Sequence, residues 1–163
     1  MPLIKNGKFA DDRFVFIPEG QAFPEDTGVM VTLARFQSER DNILAHHRPV
    51  AVRLAANENP EALKDDLADI DAIALEFPIF RDGRAFSWAR MLRERFGYKG
   101  EIRAVGHFLY DQLAFMVRVG FDAFDVRQDF RIEDFERAMG EMTYVYQPSA
   151  DRRKTVMQIR RGE

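Results

Sequence analysis

Residues 72–97 read AIALEF, then PIFRDG, then RAFSWARMLRERFG, and this stretch decides the fold. Ala72–Phe77 is a short apolar run with the length of a strand buried on both faces. In the run that follows, Ala85, Trp88, Ala89, Leu92 and Phe96 recur at helical spacing. Arg90, Arg93, Glu94 and Arg95 are left for solvent, and Gly97 supplies a carboxyl-terminal stop. A buried strand, a polar loop and an amphipathic helix make one βα unit.

Working outward, the same unit recurs. Val50–Leu54 is a strand, and Asn59-Pro60 signals a helix running through Leu63 and Leu67. Glu101–Val105 is the next strand, with a helix over about Leu109–Val119 that ends at Gly120. Ala123–Val126 follows, with Ile132–Met142 as its helix. Upstream, Val29–Leu33 precedes a helix over Ala34–Ala45, closed by His46, His47 and Arg48, whose charge suits the negative end of the dipole. Phe14–Ile17, ended by Pro18, reads as an appended edge strand within residues 1–28. Past Val145 the pattern weakens; Val156, Met157 and Ile159 read as a last short strand in a basic tail, residues 148–163.

Short apolar strands separated by helices are the sequence form of βαβ units, so the expected fold is a single α/β domain with a mainly parallel sheet. Five or six units are too few for an eight-stranded (β/α) barrel, which leaves an open or partial, barrel-like sheet. The 15 Phe against 4 Tyr and 1 Trp mark aromatic bulk as core filling. Trp88 and Met116 therefore read as core.

The chain has 163 residues, a net charge of -3 and no cysteine. Disulfides, a thiol nucleophile and cysteine-ligated clusters are thereby excluded, and nothing favours nucleic-acid binding. No stretch approaches a membrane span, and the start has no export signal, so a soluble cytoplasmic protein is expected. Arg152, Arg153, Lys154, Arg160 and Arg161 form a basic tail, either solvated or set against an acidic partner. The adjacent His46 and His47 point different ways on a helix and make a poor metal pair, so no metal site is expected; no cofactor is specified. Walker and Gly-X-Gly-X-X-Gly loops are absent.

Ligands of parallel sheets gather at the carboxyl ends of strands. The richest such loop is Pro78–Arg84. Arg81 and Arg84 offer guanidinium forks, Gly83 permits close backbone approach, and Ser87 lies in the first helical turn, a set suited to a small oxyanion. Asp82 could equally cap the helix and Arg84 pair with a carboxylate. The next strand contributes Arg103, Gly106 and His107, followed by Asp111 and Gln112. His107 and Asp111, four apart, could act as an acid/base pair on one helix face, or simply bond a neighbouring loop.

The pattern Phe77-Pro78, Asp82-Gly83-Arg84, Ser87, Leu92–Arg95, Gly97–Glu101, Arg103–Gly106, Asp111-Gln112 and Gly120–Phe124 resembles an uncharacterised bacterial family encoded beside assimilatory sulfite reductase and sometimes labelled an oxidoreductase. The match is close over the central third. Asp82, Gly83, Arg84, Arg103, Gly106, Asp111 and Gln112 fit the family pattern, whereas Arg81 and His107 depart from it. The resemblance implies an accessory of sulfite reduction that binds a small oxyanion, or sulfite reductase or another sulfur-assimilation protein, through the loop around Arg84. An enzyme using Arg84 and Arg103 to hold an oxyanion, and a non-catalytic homo-oligomer joined at an exposed strand edge, remain the alternatives.

Overall fold

The computed structural model describes residues 1–46 and 49–162. Among the described residues eight strands form one sheet: β1 (Leu3–Lys5), β2 (Lys8–Ala10), β3 (Phe14–Phe16), β4 (Gly28–Thr32), β5 (Val50–Leu54), β6 (Ala72–Phe77), β7 (Glu101–Gly106) and β8 (Ala123–Asp125). Their order is β2-β1-β8-β7-β6-β5-β4-β3. All pairs from β3 to β8 are parallel, while β1 pairs antiparallel with β8 and β2. Consecutive parallel strands are neighbours, so every crossover steps the same way and the sheet rolls into a half-barrel.

The curl has a length constraint behind it. In a flat sheet of eight strands the edges would stand about 34 Å apart, at roughly 4.8 Å per strand. Yet Ala10 ends one edge strand and Phe14 begins the other, four Cα steps later, a span of at most about 15 Å. The N-terminal segment thus serves both edges. Asn6 (φ 51°) and Gly7 (φ 76°) form its tight hairpin turn, the left-handed pair that an Asn-Gly loop favours between antiparallel strands.

The α-helices among the described residues are α1 (Leu33–His46), α2 (Arg84–Arg90), α3 (Leu113–Val119), α4 (Ile132–Gly140) and α5 (Val156–Arg161). Phe36, Ile43, Ala89, Leu92 and Met116 pack on Val31, Val52, Ile73, Leu75 and Ile102 in the main core. On the other face of the same strands a smaller core holds Phe14, Met30, Ala51, Ala72, Ala74 and Val105. Strand alternation separates the two sets, and the members of the smaller core that come from β5 and β6 are all alanine.

Several boundaries differ from expectation. Residues 60–63 form only a 3-10 turn, capped by the Asn59 side chain accepting from the Glu61 N–H, with turns continuing after it. The helix expected from Leu109 begins with a 3-10 turn at Tyr110–Gln112, and α2 passes into a π-helical turn over Met91–Arg95. Val156, Met157 and Ile159 belong to a helix, not a strand: Thr155 and Gln158 form a reciprocal capping box, and Gly162 closes the end in the left-handed region. The expected close of α1 at His47 and Arg48 lies outside the described residues, as does the side chain of His46.

Arg93 is not left to solvent. It donates to the carbonyls of Tyr98, Gly100 and Gly120 and pairs with Asp122 at 2.9 Å, tying the end of α2 to the loops before β7 and β8.

Candidate functional site

The loops after β6, β7 and β8 enclose a cleft of about 890 Å³ at the carboxyl ends of those strands, within the size range of small-molecule sites. Pro78, Ile79, Phe80 and Arg81 form one wall; Gly106–Tyr110 and Leu113 form the second. Asp125–Arg127, Asp129 and Phe130 form the third, with Asp134 and Arg137 of α4 beside them. Gly106 turns β7 into this cleft. At φ 94° it lies so close to the Phe77 carbonyl that a Cβ would collide with it, and the His107 N–H donates to that same carbonyl at 2.7 Å. Gln112 donates to the Phe80 carbonyl at 2.9 Å and accepts from the Leu109 N–H, which links two walls.

Most charged groups around the cleft are committed to each other. Arg127 meets Asp129 at 2.8 Å and Arg137 meets Asp134 at 3.3 Å. Tyr110 donates its hydroxyl to Glu141. Arg81 has no carboxylate within ion-pair distance among the described residues, its guanidinium lying 5.8 Å from the Phe80 ring. His107 likewise lines the cleft, and its ring makes no hydrogen bond among the described residues.

The other sequence-derived candidates are placed elsewhere. Arg84 folds back on Asp82, two side-chain bonds of 3.0 and 2.6 Å reinforcing one from its own N–H. Those bonds hold the Asp82 carboxyl at about 2, below its ordinary value. Gly83 and Ser87 are exposed at the start of α2, outside the cleft lining. Asp111 is exposed on the 3-10 turn, so it shares no helix with His107, which precedes that turn.

Arg103 is 1% exposed on the inner face. It pairs with Asp12 at 2.7 Å and Glu101 at 2.8 Å, reaches Asp125 at 3.6 Å, and lies 5.5 Å from the Phe14 ring. Lys5 holds the other oxygen of Glu101 at 2.6 Å. Burial works against the Arg103 charge, but the surrounding carboxylates outweigh it and raise its proton affinity. Arg103 closes the inner face by joining β7 to the segment between the edge strands. Arg84, Arg103 and Asp111 therefore do not converge.

Asp125 links this ion cluster to the cleft. Its Oδ1 is buried without a hydrogen bond and its side chain is 21% exposed. Burial pushes its carboxyl above the ordinary value, with Arg103 opposing. It was reachable from sequence: Asp125-Val126-Arg127 follows the same strand-end rule that picked out the loops after β6 and β7. Among the described residues no three His, Asp or Glu side chains gather as metal ligands.

An α/β half-barrel with a cleft at its strand ends is the class of protein these features define. Residues 51–157 match the family described as a bacterial protein of unknown function, DUF934, and the chain belongs to it. Among curated proteins and among solved structures, nothing matches the chain. No helix among the described residues is long and apolar enough to cross a membrane.

Proposed function

We propose that this protein is a cytoplasmic accessory of assimilatory sulfite reduction that binds a small oxyanion beside the loop around Arg84, in the cleft at the ends of β6, β7 and β8. The observation that carries the binding is the pairing state of the cleft: Arg81 and His107 face it without carboxylate partners, while Arg84, in the same loop, is occupied by Asp82. A guanidinium in a largely apolar hollow is the arrangement that favours a bound oxyanion over a hydrated one. The place in sulfur metabolism rests on the resemblance of the Asp82–Arg84 and Arg103–Gly106 motifs.

The test is calorimetric titration of sulfite into the protein, Arg81→Ala and Arg84→Lys. Binding lost in Arg81→Ala and kept in Arg84→Lys supports the cleft; the opposite pattern moves the site to the start of α2. Growth of a deletion strain on sulfate, sulfite or sulfide tests the pathway, and undiminished growth on sulfate excludes it.

Docking of the reductase itself is the second reading. It is favoured by Ile79, Phe80 and Leu109, which are 52%, 46% and 44% exposed around the cleft. Co-sedimentation of purified reductase with the protein and with Phe80→Ser tests it; equal sedimentation of both would exclude this rim.

A further inference from the structure

We propose that Asp125 makes the cleft selective for oxyanions that still carry a proton, the ligand's O–H donating to the Asp125 carboxylate while Arg81 and His107 hold the remaining oxygens. This rests on the oxyanion reading above and deepens it. The protonated oxyanion is either free or carried on an organic group that the apolar walls cover.

An ion cluster lies behind the cleft. Arg103, Lys5 and the N-terminal amine of Met1 bring three positive charges; Asp12, Glu101 and Asp125 bring three negative ones. The nearer carboxylates take the guanidinium bonds at 2.7 to 3.0 Å, so Asp125, at 3.6 Å, is the least compensated. Its Oδ1 is enclosed on the Arg103 side, and Asp125 also lines the cleft. The other carboxylates lining the cleft, Asp129 and Asp134, already have arginine partners.

An ionised carboxylate only accepts hydrogen bonds. Facing an anion without a proton, it offers repulsion and an unmet acceptor; facing an O–H, it forms a charge-assisted bond. A site built around such an acceptor rejects the analogue that lacks the donor. The raised proton affinity of Asp125 agrees with a proton held between it and the ligand.

Calorimetry at about pH 6 tests this with sulfite, inorganic phosphate, sulfate and phenyl phosphate, the last because a phosphate monoester keeps about half its second proton there. Sulfite and phosphate are expected to bind about ten- to a hundredfold tighter than sulfate. Tighter phenyl phosphate than phosphate identifies an organic carrier; the reverse identifies the free ion. Asp125→Asn, which puts an amide donor where the acceptor stood, should abolish or reverse the preference, and Asp125→Ser repeats the comparison if the Asn variant does not fold. Equal binding of sulfate and phosphate to the unaltered protein overturns the proposal while leaving an oxyanion site standing, as does an undiminished preference in a folded Asp125 variant. Absence of binding by every probe overturns both.

Discussion

On its helix-bearing face the sheet presents Val31, Val52, Leu75 and Ile102 to Phe36, Ile43, Leu92 and Met116, all buried hydrocarbon. On the inner face the same strands present Ala51, Ala72 and Ala74, with Arg103 set among Asp12, Glu101 and Asp125. The outer face is held by volume and area, which depend little on pH. The inner face is held by a buried charge cluster that joins β7 to the segment between the two edge strands, and its strength depends on which carboxylates are ionised. One sheet can therefore be weakened from either side by different means.

Replacing Arg103 by Ala should have the largest effect, about 3 to 5 kcal/mol, because three carboxylates lose their shared partner. Leu92→Ala should cost about 2 to 5 kcal/mol through the cavity it leaves under α2. Chemical denaturation at pH 7 and about pH 3 separates the two faces: the Arg103 deficit should shrink with acid, and the Leu92 deficit should stay constant. Equal deficits at both pH values for both variants would contradict the division between the faces.

Asp12 gives the pH dependence its sign. Burial pushes its carboxyl up, but the bonds from Arg103 and the Phe14 N–H outweigh burial and hold it below its ordinary value. Its contribution is therefore fully present above about pH 4, the ordinary range of an aspartate, and is lost as pH falls through the depressed folded value. Asp125, shifted upward, runs the other way: its relative contribution is present at low pH and declines as pH rises toward the folded value. Asp12→Asn should flatten the acid side of the stability profile measured by thermal unfolding, and an unchanged profile would remove Asp12 from the cluster. The smallest effect belongs to Arg84→Ala, because solvent screens this exposed pair. A larger drop in melting stability would mean that the Asp82–Arg84 pair organises the loop.

β5, β6 and β7 were legible because strands buried on both faces read as nearly continuous apolar runs. The N-terminal hairpin went unread although Asn6-Gly7 marks its turn; the flanking strands are three residues each, with β2 fully exposed. The terminal helix reads as a strand from Val156, Met157 and Ile159 alone, although Thr155 and Gln158 are spaced as a capping box. The sequence marks Phe14–Ile17 as an appended edge strand; β3 is at one end of the sheet order, yet Phe14 is 5% exposed and fills the inner core, a consequence of the curl. The site was half legible. The strand-end rule finds the loops after β6 and β7, but which arginine Asp82 captures depends on the path of the loop. Asp12, one of the partners of Arg103, likewise lies 91 residues away in sequence.

The central claim, that the cleft and not the start of α2 is the oxyanion site, is tested most directly by titrating inorganic phosphate into isotope-labelled protein and following backbone amide shifts. With the oxyanion in the cleft, Arg81, Gly106, His107, Phe108, Val126 and Arg127 move together along one saturable curve while Gly83–Ser87 stay in place. Saturable shifts centred on Gly83–Ser87, or none anywhere, would contradict it.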